Sequence, residues 1–174
     1  MEAMTVEEFR ALPETASRSE LRRGVLFREA LPPLKQIVIQ RTLRRYLEQL
    51  APSGSFLSTE VPFRALPEHD LRAADVAYVS AERWSQVDED DDLRGAPDLV
   101  IEVLSPSNTA AEMNDKERLC LENGSKEFWI VDPNLRQVKV ATPDGHTITW
   151  KSGQQIPLPL FGNATLNVDD IFAR

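Results

Sequence analysis

Apolar residues recur every three or four positions between residues 34 and 50, which predicts an amphipathic helix ended by Pro52-Ser53-Gly54. The side chains predicted to face the core are Leu34, Ile37, Val38, Leu43, Tyr46, Leu47 and Leu50. The polar face carries four cations, which we expect to contact the phosphates of any bound nucleic acid: Lys35, Arg41, Arg44 and Arg45.

Two further helices are indicated by capping boxes, in which a threonine precedes a glutamate by three positions. Thr5-Val6-Glu7-Glu8 predicts a short helix over residues 6–12. Thr109-Ala110-Ala111-Glu112 predicts a helix that runs to Asn123, with Gly124 just past its last turn. Lys116 is therefore expected about two turns into this second helix.

Apolar runs with period two, or without interruption, predict the strands. Residues 57–63 alternate, which indicates a strand exposed on one face, and Pro62 favours an edge position. Other strands are expected over 75–79 and 127–131, in two short segments around Gly24, and in a hairpin of 137–140 with 147–150. Residues 156–174 show short apolar pieces with no clear period.

The most apolar run, residues 99–104, lies between Pro97 and Pro106 and is typical of a strand buried on both faces. Glu102 stands in the middle of this run. Because an isolated buried carboxylate is energetically costly, the sequence implies a partner for Glu102, either a metal ion or a cationic side chain.

The length of 174 residues predicts one domain, over residues 1–174. No apolar run approaches the roughly 20 residues of a membrane span, and the polar N-terminus lacks the character of a signal peptide, so we expect a cytoplasmic protein without a membrane partner. Cys120 is the only cysteine, which excludes an internal disulfide and fits a reducing compartment. Cys120 is expected to fill core space rather than to act as a nucleophile.

The net charge of −8 argues against non-specific binding of nucleic acid, but the charges are unevenly placed. Residues 18–45 hold eight basic side chains against two acidic ones, whereas residues 68–102 hold eleven acidic against three basic. From charge alone, two solvated faces are the favoured interpretation, because blocks of charge usually only keep a protein soluble. We expect the run of five acidic residues at 88–92 to be a solvated loop, since it lacks the alternating spacing of a calcium loop.

Asp75, at the start of one strand, Glu102, within another, and Lys116, on the following helix, are the parts of a site that cleaves phosphodiesters. Carboxylates hold a hard cation such as Mg²⁺, and a nearby lysine positions water or offsets charge in the transition state. Asp98 shares strand parity with Glu102 and is a further candidate metal ligand, although its place after Pro97 also suits a turn.

Five blocks of the sequence carry a family resemblance: Glu20-Leu21-Arg22-Arg23-Gly24, Asp75-Val76-Ala77, residues 95–107, Asp115-Lys116 with Gly124, and residues 127–133. In these blocks the chain resembles the Uma2 family of restriction-endonuclease-like proteins, within the PD-(D/E)XK nuclease superfamily. The resemblance covers residues 20–133.

The resemblance implies an α/β fold with a restriction-endonuclease-like central mixed β-sheet flanked by α-helices. It also implies a Mg²⁺ (or Mn²⁺) site made by Asp75 and Glu102, with Lys116 and Glu20 as further catalytic residues. The superfamily's usual lysine position is Leu104 here, so its role passes to Lys116. Other departures from the family pattern are Ala74 for a proline, Cys120 for a tyrosine and Lys35 for a histidine.

The function expected from the resemblance is Mg²⁺-dependent hydrolysis of DNA phosphodiester bonds, without a small-molecule cofactor. Cutting both strands needs two active sites, so a homodimer is expected. One alternative is a regulatory module that keeps the nuclease fold and binds nucleic acid or protein without cleaving. In that case Glu102 forms a buried salt bridge with Lys116, Arg94 or Arg118. A glycosidase with two catalytic carboxylates is disfavoured by the aromatic content of 7%.

Overall fold

A computed structural model describes residues 2–13 and 18–173 of the chain. Its centre is a mixed seven-stranded sheet in the order β5-β3-β4-β6-β7-β8-β9, with two small antiparallel sheets, β1-β2 and β10-β11, beside it. The strands are β1 Ser19–Arg22, β2 Val25–Arg28, β3 Phe56–Arg64, β4 Arg72–Val79, β5 Leu93–Arg94, β6 Leu99–Val103, β7 Glu127–Asp132, β8 Gln137–Ala141, β9 Thr147–Trp150, β10 Gln155–Leu158 and β11 Ala164–Asn167. This architecture confirms the expected mixed α/β fold.

The helices of the described residues are α1 Val6–Arg10, α2 Leu34–Glu48, α3 Ala81–Trp84, α4 Ala110–Glu122 and α5 Val168–Phe172. Both predicted capping boxes are present, at Thr5 and Thr109, so each helix starts where the sequence indicates. None of the described helices is long and apolar enough to cross a lipid bilayer.

The central sheet is covered on both faces, which explains why β6 is buried at every position. On one face α2 packs its Leu43 and Leu47 against a core that includes Trp129. On the other face α4 contributes Leu119 to a second core that includes Phe128. Consecutive residues of β7 thus fill opposite cores, as strand geometry requires.

The predicted apolar face of α2 is wrong at its first turn. Leu34, Ile37 and Val38 are 75%, 44% and 40% exposed, whereas the inward positions Gln36 and Gln40 are buried. The residues of α2 form two sets with helical spacing, one apolar from its start and one that contains the two glutamines. The set with the glutamines is the one that faces the core. Polar side chains therefore enter the interior at the start of α2.

The β1-β2 hairpin turns at Arg23 and Gly24, both with positive φ (48° and 77°). Gly24 is required here, because a Cβ atom at this position would lie 2.5 Å from the Cβ of Ala3. Pairing of the first strand with the bridge residue Leu71 ties the hairpin to the chain just before β4. The hairpin thereby brings Glu20 towards the end of the central sheet.

Regular pairing between β3 and β4 is interrupted at Glu60. Thr59 pairs with Val76 and Val61 with Ala74, so Glu60 is level with Asp75 but outside the regular ladder. Glu60 has a φ of 55°, which is unusual for a non-glycine residue. Only Phe63 and Arg64 of β3 pair with β5, so the strand's other side is largely an edge, as Pro62 indicated.

Two parts of the chain differ from expectation. The region after residue 155, where no period was visible, forms β10, a 3-10 turn, β11 and α5, and buries Ile156, Leu166 and Ile171 in the core. In the acidic run, residues 88–91 are exposed, but Asp92 is only 7% exposed and forms an ion pair with Arg10.

Candidate active site

Asp75 and Glu102 come together through the pairing of the central strands β4 and β6. Val76 is opposite Ile101 in this antiparallel pair, and continuing the register by one residue sets Asp75 opposite Glu102. Opposed residues of antiparallel strands project to the same face of the sheet. The Oδ2 atom of Asp75 accepts a hydrogen bond from the backbone N–H of Val103 at 2.7 Å, which fixes this carboxylate beside Glu102.

Lys116 reaches the same place from the second turn of α4. Its Nζ lies 2.6 Å from Oε1 of Glu102 and donates a hydrogen bond to the carbonyl of Ala73 at 2.7 Å. The contact between Nζ and Oε1 of Glu102 is an ion pair. The angle at which the two groups meet does not give Oε1 a well-aligned hydrogen bond from a described residue. Both side chains are buried, so water screens this ion pair weakly.

Glu20 lies behind Lys116, with Oε1 at 3.9 Å from Nζ. The Glu20 carboxylate also accepts hydrogen bonds from the backbone N–H of Ala73 and from Nε of Arg22, each at 3.0 Å. Since Glu20 does not line the cavity that contains Asp75 and Glu102, its geometry suits a residue that positions Lys116.

Burial raises the pKa of Glu102 well above its ordinary value, and the nearby carboxylates of Asp75 and Glu20 raise it further against the opposing effect of Lys116. For Lys116, burial lowers the pKa, but the carboxylates of Glu102, Glu20 and Asp75 outweigh this and the pKa is raised overall. The lysine therefore remains an ammonium ion at neutral pH. Burial also raises the pKa of the Cys120 thiol to about 12, so Cys120 is unsuited to nucleophilic attack.

These groups border a cavity of about 110 Å³. Its charged lining residues are five cations and four carboxylates, namely Arg18, Arg22, Arg28, Arg72 and Lys116 against Glu29, Asp75, Glu102 and Glu112. Arg28 is exposed and forms no ion pair with any described residue. A chain of net charge −8 thus has a cavity whose lining is slightly cationic.

A family model of Uma2, described as "Putative restriction endonuclease", matches residues 6–169. The chain belongs to the Uma2 family. A solved structure, "a putative nuclease belonging to DUF820 from Anabaena variabilis ATCC 29413", is 23% identical in sequence and matches with a TM-score of 0.82 over 97% of each chain. This likeness shows that the fold is shared. No curated protein sequence matches the chain.

Asp98, the other candidate ligand in this Uma2 protein, lies away from the cavity. Its Oδ2 accepts hydrogen bonds from the backbone N–H of Ser80 at 2.9 Å and from Arg83 at 3.2 Å, and Oδ1 is 3.8 Å from Nζ of Lys126. The structure therefore brings Glu20, Asp75, Glu102 and Lys116 together and leaves Asp98 apart. Arg94 and Arg118, suggested as partners of Glu102, pair instead with Asp91 and Glu122.

The four cations predicted to bind nucleic acid are exposed on α2. Arg44 lies 3.5 Å from Glu48, a weak surface pair. Lys35 borders a second cavity, of about 310 Å³, together with Gln36 and Ser105. The first turn of α2 thus presents a cation beside this second cavity. The later turns present the other three cations to solvent.

The residues that line the cavity of Asp75 and Glu102 include carboxylates and amides, and the oxygens of these groups suit a hard divalent cation. Within residues 2–13 and 18–173, no group of three or more His, Cys, Asp or Glu side chains is arranged to hold a metal ion. Asp75 and Glu102 are thus two carboxylates that need further oxygen ligands. The buried Oε1 of Gln36, which has no hydrogen-bond partner among these residues, is such an oxygen.

Sequence reasoning missed Gln36, Arg22 and Arg28 as cavity residues. Arg22 could have been found, because Glu20 and Arg22 are two residues apart on one strand and face the same way. The sequence indicates Gln36 less clearly. It is a polar residue in a helix whose apolar residues are compatible with two different inward faces. Arg28 lies on β2 of the hairpin that the sequence indicated, but the position of that hairpin beside the sheet depends on a distant contact, the pairing of Leu21 with Leu71.

Proposed function

We propose that this protein is a Mg²⁺- or Mn²⁺-dependent endonuclease that hydrolyses DNA phosphodiester bonds. The observation that carries the proposal is the meeting of the buried side chains of Asp75, Glu102 and Lys116 at one cavity. The two carboxylates would hold the cation. When bound, a divalent cation polarises the phosphoryl group and lowers the pKa of a bound water for in-line attack.

Lys116 acts in this proposal through its charge. Because its pKa is raised, it cannot take a proton from water at neutral pH. Its ammonium instead offsets the negative charge that develops on the phosphate in the transition state. Glu20 and the carbonyl of Ala73 keep the ammonium at the cavity wall.

DNA as the substrate is supported by the placement of charge. The cavity lining is slightly cationic, and it includes the exposed Arg28, which forms no ion pair with a described residue and can meet a phosphate. Lys35, Arg41, Arg44 and Arg45 extend the cationic surface along α2. The cytoplasmic location expected from the sequence agrees with a DNA substrate.

We also propose a homodimer. The side chains of Leu31, Leu34, Ile37 and Val38 are 80%, 75%, 44% and 40% exposed, over eight consecutive positions of the chain. An exposed apolar group of this kind is typical of a protein interface. A second copy that covers it would provide the second active site needed to cut both strands.

The regulatory module remains the alternative function, and one observation favours it. Lys116 already neutralises Glu102 at 2.6 Å, as a purely structural salt bridge would. In that case neither carboxylate would bind a cation, and the cationic surface would bind nucleic acid without cleavage.

The proposal is tested by titrating the protein with Mn²⁺ in a calorimeter and by incubating supercoiled plasmid DNA with the protein and Mg²⁺. We expect wild type to bind Mn²⁺ and nick the plasmid, and Asp75→Asn and Glu102→Gln to lose about 10³-fold in cleavage rate. Asp90→Asn removes a carboxylate from the exposed acidic loop and should behave as wild type. Mn²⁺ binding that survives both cavity substitutions, or cleavage that does so, would contradict the proposal.

A further inference from the structure

Gln36 is a polar residue in an inward-facing position of α2, where its neighbours on the same face are Ile39, Leu43 and Leu47. Its side chain is buried, with the residue 8% exposed. An amide in such a position needs hydrogen-bond partners for both its oxygen and its nitrogen. Among the described residues, Gln36 has a partner for the nitrogen only.

The amide nitrogen, Nε2, donates a hydrogen bond to Oδ2 of Asp75 at 3.3 Å. The carbonyl oxygen, Oε1, is fully buried and has no hydrogen-bond partner among the described residues. Reversing the amide would not help, because it would set the carbonyl oxygen against the carboxylate of Asp75. The hydrogen bond to Asp75 therefore fixes which end of the amide is unsatisfied.

The unsatisfied oxygen belongs to a residue that lines the same cavity as Asp75 and Glu102. A carbonyl oxygen is a hard ligand of the kind that Mg²⁺ and Mn²⁺ accept. The carboxylates of Asp75 and Glu102 alone leave most positions of an octahedral cation open.

We propose that Oε1 of Gln36 is a third protein ligand of the divalent cation, beside Asp75 and Glu102. This inference rests on the proposed function, since it adds a ligand to the same metal site. It assigns to α2 a direct part in cation binding, in addition to its exposed cations.

The experiment separates this ligand role from a positioning role of the same side chain. Gln36 would be a positioning residue if only its Nε2 mattered, by holding Asp75 in place. Gln36→Glu distinguishes these roles, because it keeps an oxygen for the cation and removes the donor to Asp75. A ligand role predicts that Gln36→Glu retains or strengthens Mn²⁺ binding, whereas a positioning role predicts that it weakens it.

The test is calorimetric titration of the full chain with Mn²⁺, followed by electron paramagnetic resonance of the bound ion. Gln36→Met, which is close in size but has no amide, should weaken Mn²⁺ binding about 10-fold. Gln36→Glu should bind at least as tightly as wild type, and Mn²⁺ should raise its melting temperature by more than that of wild type. Should Gln36→Met fail to fold, Gln36→Glu carries the test by itself.

Gln40→Met is the matched control. Gln40 lies one turn further along the buried face of α2, also has an unsatisfied amide atom, and does not line the cavity. We expect it to leave Mn²⁺ affinity unchanged. If wild type binds Mn²⁺ and Gln36→Glu binds more weakly, the ligand role is overturned while the metal site stands. If wild type does not bind Mn²⁺, the proposed function fails together with this inference.

Discussion

Asp98 and Glu102 are both buried carboxylates with the same strand parity, four residues apart, and their surroundings are very different. Asp98 accepts hydrogen bonds from a backbone N–H and from Arg83, and Lys126 is nearby. Glu102 is close to one cation, Lys116, and to two other carboxylates, Asp75 and Glu20. Burial raises the pKa of Glu102, and these two carboxylates raise it further against the opposing effect of Lys116.

These two environments show what separates a structural carboxylate from a candidate metal ligand. Burial does not distinguish Asp98 from Glu102, since both residues are almost inaccessible to water. Asp98 has its acceptors satisfied by the protein, while Glu102 is grouped with like charges and with the unsatisfied oxygen of Gln36. A cluster of this kind is costly unless a further positive charge joins it.

The comparison predicts opposite effects of neutralisation on stability. Asp98→Asn leaves Arg83, which is 31% exposed, without its buried partner, and should lower the free energy of unfolding by about 3 kcal/mol. Glu102→Gln removes one of three clustered carboxylates, and Lys116 keeps Ala73 and Glu20 as partners. At neutral pH we expect its free energy of unfolding to equal or exceed that of wild type, because a buried carboxylate next to like charges has been neutralised.

Urea unfolding in the presence of EDTA measures both changes. A loss of about 3 kcal/mol for Glu102→Gln as well would make the Lys116 contact a structural salt bridge and favour the regulatory module. Added Mg²⁺ should raise the stability of wild type and Asp98→Asn and leave Glu102→Gln unchanged.

Sequence patterns predicted the elements that hold the carboxylates, for reasons that can be named. The run around Glu102 is buried on both faces and therefore uniformly apolar, and Thr109 and Glu112 define the start of α4 through local hydrogen bonds. These local signals suffice to put Asp75 and Glu102 on strands and Lys116 on the helix after the Glu102 strand; the pairing of β4 with β6 is a contact between distant parts of the chain. The roles of these residues stay predictions.

The remaining features depend on contacts between distant parts of the chain. Gln36 enters the cavity because α2 turns its second pattern of helical spacing inward, and neither pattern alone shows which one the sheet will cover. The strands β10 and β11 are four residues each; β10 buries two side chains and β11 buries only Leu166, which is too short a pattern to indicate a strand before the two pair. Asp98 and Glu102 have the same parity, and only their partners tell them apart.

The raised pKa of Glu102 gives a second way to test the comparison. A glutamate whose pKa is raised in the folded protein contributes stability below its ordinary pKa of 4.5 and loses that contribution as pH rises through the folded pKa. Wild type should therefore lose stability relative to Glu102→Gln as pH increases from 4.5, by up to about 1.4 kcal/mol per pH unit. Unfolding curves of both proteins in EDTA across this range give the difference. A constant difference, or one that grows in favour of wild type, would show that Lys116 holds Glu102 ionised.

The smallest expected effect concerns the cations near each carboxylate. Arg28 lines the cavity of Glu102 and is unpaired within the described chain, whereas Lys126 lies beside Asp98 with a side chain that is 63% exposed. If DNA approaches the Glu102 end, Arg28→Ala should reduce the slope of log affinity against log salt concentration by about 0.9, the contribution of one phosphate contact. Lys126→Ala should leave the slope unchanged.

Fluorescence anisotropy of a labelled DNA duplex, titrated in EDTA at several salt concentrations, measures these slopes. The double substitution Arg44→Ala/Arg45→Ala extends the test to α2, where two phosphate contacts would lower the slope by about 1.8. Lys151→Ala, an exposed lysine just after the edge strand β9, controls for the loss of any surface charge. Equal slopes for Arg28→Ala and Lys126→Ala would remove the electrostatic distinction between the two ends of β6. An unchanged slope in the double variant would show that Arg44 and Arg45 do not contact phosphates and only solvate the surface of α2.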